Sequence, residues 1–179
     1  MPLSDRQIIV WAKDGGIEPF AQQNVNPASI DLRLGNLWID FEVPDKIIYS
    51  DIITLYPRSL RVELHNTLCK WLPLKRKPTA LLAITLERIV MPDWLAGEVK
   101  LKTTPTRLGL GHPIADWVDP GYEGHLTLML HALKQITLME GRKVCQLVLW
   151  PGSRVDKPYR IHGHYMNQDK PTLAWTEKR

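Results

Sequence analysis

Cysteine is scarce in this chain of 179 residues, which holds only Cys69 and Cys145. Two thiols without metal-ligand spacing argue against a disulfide scaffold and point to reduced core residues. Long apolar runs are missing as well, since none approaches the roughly 18 residues of a membrane span. The N-terminus lacks the charged-then-apolar order of a signal peptide. A soluble, cytoplasmic protein away from membranes is the expectation. Internal repeats and low-complexity segments are absent, and helical periodicity is nearly so. The length suits one domain over 1–179 that buries about 70% of its unfolded surface without a metal or disulfide staple.

The formal net charge is +4. Its densest basic cluster, Lys75-Arg76-Lys77, is short and sits between Pro73 and Pro78. It reads either as a solvated loop or as a phosphate-facing surface. Nucleic acid is therefore not the expected partner, whereas a free nucleotide, itself a polyanion, fits the same charge balance.

Ser4-Asp5-Arg6-Gln7 opens an apolar pattern at Ile8, Ile9, Val10 and Trp11, with Ser4 as N-cap, Gln7 placed for a capping box and Gly15-Gly16 as the stop. This predicts one short helix. Ile30 to Leu34 alternates with period two and meets Gly35-Asn36, which predicts a strand and a turn. Further strands are expected over residues 37–43, 46–55 and 60–65, then over 80–90, 98–102, 126–130, 136–138 and 144–150. Many short strands at roughly ten-residue spacing argue for an antiparallel sandwich or jelly-roll barrel. The segment from about Pro158, with Tyr159, His162, His164, Tyr165 and Trp175, reads as an arm or lid, on its own chain or across to a neighbour. Trp38, Trp71, Trp94, Trp117 and Trp150 read as packing residues.

Seven segments then stand in order: Ser4-Asp5-Arg6; Pro27 through Asn36; Leu86-Glu87-Arg88; Lys102-Thr103-Thr104-Pro105-Thr106-Arg107-Leu108-Gly109-Leu110; Val118-Asp119-Pro120-Gly121-Tyr122-Glu123-Gly124; Gly141 through Gln146; and Tyr165-Met166-Asn167-Gln168. Together they resemble the dCTP deaminase and dUTPase family over nearly the whole chain. The resemblance implies a mainly β, dUTPase-like distorted jelly-roll β-barrel with a short N-terminal helix, assembled as a homotrimer whose active sites are shared between neighbours.

The resemblance also implies roles. Lys102, Thr103, Thr104 and Arg107 match the segment that holds a triphosphate, with threonine hydroxyls in place of serine and Pro105 unable to donate a backbone N–H. Asp119 and Tyr122 match the pair that receives a deoxyribose, and the matching dUTPase aspartate also orients the attacking water. Gln146, Tyr165 and Gln168 match residues near the phosphates, and Lys170 is placed to add a cation there. The cofactor implied is Mg²⁺ carried on the substrate phosphates.

One position departs from the pattern. Period two puts His125, Thr127, Met129 and His131 on one face of a strand and Leu126, Leu128 and Leu130 on the other. Met129 stands where family deaminases carry a catalytic glutamate. A thioether moves no proton, and losing such a shuttle removes on the order of 10² to 10⁴ in rate. His125 and His131, flanking Met129, are the histidines that would have to substitute. Zinc chemistry is not expected, since His-x-Glu with Pro-Cys-x-x-Cys is absent. His162, His164 and His112 lack a carboxylate or thiol at ligand spacing.

The function expected is binding of a deoxypyrimidine triphosphate with diphosphate release from dUTP or dCTP rather than deamination. The alternative is a catalytically inactive trimeric binding or structural module, such as a nucleotide sensor or a viral decoration or assembly protein.

Overall fold

The structure, a computed structural model, describes residues 1–40, 47–56, 79–113 and 116–175. Ser4 precedes α1 (Asp5–Trp11), and Gln7 Oε1 accepts from the Ser4 amide at 3.0 Å, so the capping box forms as its sequence requires. A wider turn over Ala12–Gly16 closes at Gly15, whose φ of 89° is left-handed. Ile8 and Trp11 face inward, and the Trp11 indole donates to the Val90 carbonyl at 3.2 Å, which ties α1 to the sheet.

The strands are β1 (Ile17–Glu18), β2 (Val25–Asn26), β3 (Ser29–Asp40), β4 (Ile47–Tyr49), β5 (Ile52–Leu55), β6 (Ala80–Val90), β7 (Leu95–Leu101), β8 (Leu110–Gly111), β9 (Trp117–Val118), β10 (Glu123–Ala132), β11 (Ile136–Met139) and β12 (Lys143–Pro151). Every pairing among the described residues is antiparallel. The main sheet runs β8-β10-β6-β3-β12-β7-β9, with β1 added to β6 and β2 and β4 to β3, while β11 pairs with β5. It curls into the mainly β, antiparallel architecture that the strand spacing implies.

Alternation sets the core. In β10, Leu126, Leu128 and Leu130 are buried while His125, Thr127, Met129 and His131 stay half-buried on the opposite face, as period two requires. Those leucines pack with Leu32, Leu34, Leu81 and Leu147, and each fully buried leucine contributes about 2 kcal/mol. Among the carboxylates buried in the described residues, Glu87 is the least exposed. Glu87, 1% exposed, accepts from the Arg33 amide at 2.7 Å and from Arg33 Nε at 2.6 Å, so its charge is both paired and hydrogen-bonded. Cys145 is fully buried nearby, and burial pushes its thiol well up, which fits a structural role. Cys69 lies outside the described residues.

Three expectations change. β3 runs straight through Gly35-Asn36 instead of turning there. Its register against β6 shifts between Leu34 and Trp38, and a Cβ on Gly35 would stand 2.8 Å from Ile84 Cγ2, so this glycine serves a close strand approach at a bulge. The strand expected over 46–55 is two, split at Ser50, whose hydroxyl donates to the Ile52 carbonyl at 2.6 Å. Of the described tryptophans read as packing residues only Trp38 is buried, with its indole donating to the Ser50 carbonyl at 2.7 Å. Trp94, Trp117 and Trp150 are 42%, 57% and 37% exposed: Trp94 stands in the turn before β7, Trp117 on the short edge strand β9 and Trp150 near the end of β12. The strand expected at 60–65, the basic cluster at 75–77 and Trp71 lie outside the described residues.

Candidate functional site

The turn Asp119-Pro120-Gly121-Tyr122 is a tight one: the Tyr122 amide donates to the Asp119 carbonyl at 3.1 Å and Gly121 has φ of 82°. Proline second and a left-handed glycine third is the chemistry such a turn needs. It throws Asp119 and Tyr122 to the wall of a cavity of about 270 Å³ at the start of β10. The Asp119 carboxylate accepts from the Trp117 indole at 3.1 Å, and Tyr122 is buried with its hydroxyl donating to the His125 carbonyl at 2.6 Å. Burial pushes the Tyr122 phenol well up, so it stays a neutral donor.

The C-terminal segment supplies the facing wall. Tyr165 and Gln168 line the same cavity, together with Thr127 and Thr172. Thr127 Oγ1 donates to Gln168 Oε1 at 2.5 Å, and the Thr172 amide donates back to Thr127 Oγ1 at 3.2 Å. Backbone bonds run alongside, from the His125 amide to the Gln168 carbonyl at 3.0 Å and from the Asn167 amide to the Glu123 carbonyl at 2.7 Å. The glycines allow this approach, since a Cβ on Gly124 (φ 141°) would stand 2.8 Å from the Gln168 nitrogen and one on Gly121 would stand 2.6 Å from Pro158 Cβ. Arg160 holds the base of the segment by a two-pronged pair with Asp93, whose carboxyl is kept below its ordinary value by that hydrogen bond. Lys170 is exposed, and its carbonyl accepts from the Thr172 hydroxyl at 3.2 Å.

The other residues singled out in the sequence gather elsewhere. None of Lys102, Thr103, Thr104, Arg107 and Gln146 lines the cavity. Thr103 to Arg107 form a short helix, α2 (Thr103–Arg107), which buries Pro105 and leaves Thr103, Thr104 and Arg107 exposed. Proline falls in the first turn, where an N–H has no partner within the helix, so its missing donor costs α2 nothing. Lys102 Nζ donates to Asp31 Oδ1, and Lys143 Nζ lies 3.2 Å from Asp31 Oδ2. Gln146, opposite Asp31 in the β12–β3 register, accepts from the Ser29 hydroxyl at 3.2 Å. Burial alone would raise the Asp31 carboxyl, but hydrogen bonds from Lys102, Asn26 and Lys143 outweigh it and hold the group below its ordinary value.

Met129 shares the face of β10 that carries Thr127 but is not among the residues that line the cavity, and its carbonyl is 2.8 Å from His112 Nδ1. The flanking histidines do not reach the cavity. His125 turns its Nδ1 to the Thr85 carbonyl at 3.0 Å, and the His131 ring covers Gly111, where a Cβ would stand 2.2 Å from its Nε2. The imidazole that lines the cavity is His112, which sequence reading weighed only as a metal ligand. Contact between the turn after β8 and β10 is non-local, and no local pattern announces it. Among the described residues no group of three or more His, Cys, Asp or Glu side chains is disposed to hold a metal, and no helix is long and apolar enough to cross a membrane.

A larger cavity, about 620 Å³, lies under α1 between Trp11, Val10 and Trp94. Its walls are mostly apolar and, although Arg6 of the first motif lies on them, they carry none of the residues to which the motifs assign substrate binding or catalysis, so the smaller cavity is the candidate site.

The model of dCTP deaminase-like proteins matches residues 2–152. The chain belongs to the dCTP deaminase-like family. A dCTP deaminase, dUMP-forming, of Sulfurihydrogenibium sp. is 34% identical over 184 residues, covering 97% of this chain and 96% of that protein. One from Rhodococcus opacus with the same description is 37% identical and covers 96% of this chain and 94% of its own. Among solved structures, the 2'-deoxycytidine 5'-triphosphate deaminase of Agrobacterium tumefaciens superposes with a TM-score of 0.63 at 16% identity, over 84% of this chain and 48% of that one. This chain thus spans about half of that protein, and the likeness is one of fold. The dCTP deaminase-like match ends at residue 152, so the cavity's C-terminal wall is defined by this chain's own contacts.

Proposed function

We propose that this protein binds a deoxypyrimidine nucleoside triphosphate and releases diphosphate from it without removing the amine. Turning dCTP into dUMP, the reaction named for the relatives, requires two bond cleavages: C4–N in the base, and the link between the α and β phosphates. Met129 removes the means for the first. No proton can pass through a thioether, and neither flanking histidine lines the cavity. The means for the second persist, because Asp119 keeps a carboxylate on the cavity wall. The observation that carries the reading is this convergence of Asp119, Tyr122, Tyr165 and Gln168, four residues from two separate sequence motifs, on one cavity.

In the reaction Asp119 orients water towards the α phosphorus and accepts its proton as the bond to the bridging oxygen breaks. The Tyr122 ring closes the sugar end, where a second ribose hydroxyl would meet it. Magnesium suits this site as a passenger on the phosphates, whose negative charge it would offset.

The phosphate-binding groups come from a second copy of the chain. Lys102, Thr103, Thr104, Arg107 and Gln146 lie away from the cavity of their own chain, and α2 presents Thr103, Thr104 and Arg107 outward. A homotrimer in which α2 of one protomer faces the cavity of the next completes the site.

One observation favours a catalytically inactive binding or structural module instead: the Lys102 ammonium is already paired with Asp31. Incubation with dCTP and dUTP plus Mg²⁺, following diphosphate and ammonia, separates the readings. Diphosphate without ammonia is expected; neither product assigns the inactive module; ammonia overturns the role given to Met129.

A further inference from the structure

His112 is the imidazole on the cavity wall, in the turn that follows β8. Two contacts fix it there. β8 pairs with the end of β10, Gly111 opposite His131, and the His131 ring lies against Gly111. Next, His112 Nδ1 stands 2.8 Å from the Met129 carbonyl oxygen. A carbonyl only accepts, so Nδ1 carries the hydrogen, and a neutral His112 keeps its lone pair on Nε2. Protonation changes Nε2 from acceptor to donor and leaves the Nδ1 anchor in place. The titratable groups that share the cavity are Asp116 and Asp119 beside β9, Tyr122 at the start of β10, and Tyr159 and Tyr165 from the C-terminal segment. Tyr122 already donates to the His125 carbonyl and Asp119 already accepts from Trp117, so both have partners apart from His112.

We propose that His112 reads the 4-position of the pyrimidine base, its neutral Nε2 accepting from the 4-amino group of cytosine and its protonated Nε2 donating to the 4-oxo group of uracil. The proposal rests on the reading that a deoxypyrimidine triphosphate occupies this cavity. It adds what selects the base: the protonation state of one ring anchored through Met129's backbone, independent of the Met129 side chain.

The test is the ratio of dCTP to dUTP affinity, measured by calorimetry on the full chain from about pH 6 to about pH 8, the range in which imidazoles titrate. Phosphate ionisation affects both nucleotides alike and cancels in the ratio. The preference for dCTP over dUTP should rise about tenfold across that range, the difference one hydrogen bond makes. His112→Phe, which keeps a ring but no nitrogen, should bind both nucleotides with a ratio that does not move with pH. A constant ratio in the unchanged protein, or the same rise in His112→Phe, overturns the role of His112 while the site stands. Binding of neither nucleotide at any pH overturns the site and this inference together. Should His112→Phe fail to fold, the pH profile of the unchanged protein decides alone.

Discussion

Lys102 Nζ rests on the carboxylate of Asp31, a side chain only 4% exposed, so a cation that the family motif assigns to phosphate is held in place by an acid far back along the chain: Asp31 lies in β3, Lys102 after β7. Asp31 carries one negative charge and meets two lysines. Lys102, Lys143 and Asp31 together therefore keep one net positive charge, which is what remains to attract a phosphate oxygen.

Asp31→Ala should leave both ammonium groups without their partner in a half-buried setting. The expected loss is about 2 kcal/mol, less than for a fully buried pair because Lys102 and Lys143 keep contact with solvent. Denaturant unfolding measures it. The same group sets an acid limit. Asp31 titrates below the ordinary 3.8 when folded, so its contribution is complete above that value and disappears as pH falls through the lowered one. Asp31→Asn should flatten this part of the acid unfolding profile; an unchanged profile would remove Asp31 from the account of acid stability.

A shared site predicts complementation. Asp119→Asn should abolish diphosphate release through loss of water orientation, and Arg107→Ala through loss of a phosphate contact, each by about 10² or more. Mixing the two after dissociation and reassembly should restore part of the activity, because some sites then take Asp119 from one protomer and Arg107 from another. No recovery in mixed trimers of confirmed composition would place the whole site within one chain.

Local signals in the sequence carried most of the fold. Ser4 and Gln7 announced α1, Pro120-Gly121 announced the turn before β10, and alternation at Leu126, Leu128 and Leu130 gave that strand's faces. Gly35 misled because a glycine at a bulge and a glycine at a turn look alike in one dimension, and only the approach of Ile84 separates them. In the candidate site, Asp119, Tyr122, Tyr165 and Gln168 were legible through motifs, whereas His112 was not. Its place depends on β8 closing onto β10 some 20 residues along the chain, a pairing of Gly111 with His131 that no spacing rule supplies.

The C-terminal segment should depend on Gly124. Alanine there meets a φ of 141° and a Cβ position 2.8 Å from the Gln168 nitrogen, so either the strand or the segment must move. The segment around Gln168 is the cheaper to displace, because its residues 166–170 are half-buried or exposed whereas alternate residues of β10 are buried core leucines. Gly124→Ala should release Gln168 from Thr127, raise the KM for nucleotide several-fold and speed proteolysis after residue 157, with the thermal midpoint little changed. A lowered midpoint with proteolysis unchanged would show that β10 gives way instead.

Met129→Glu tests the face assignment of β10 most directly. A carboxylate at this position lies on the same face as Thr127, whose side chain lines the cavity that Asp119 and Tyr122 help to form. There it could take a proton from water and return it to a leaving amine, the step a thioether cannot perform. Ammonia release from dCTP should appear in Met129→Glu and stay absent in Met129→Gln, which matches the glutamate in size but moves no proton. Diphosphate release should continue in both, since Asp119 is untouched. Ammonia from Met129→Gln would assign the proton transfer to some other group, and its absence from Met129→Glu with dCTP bound would show that the carboxylate does not reach C4 of the base.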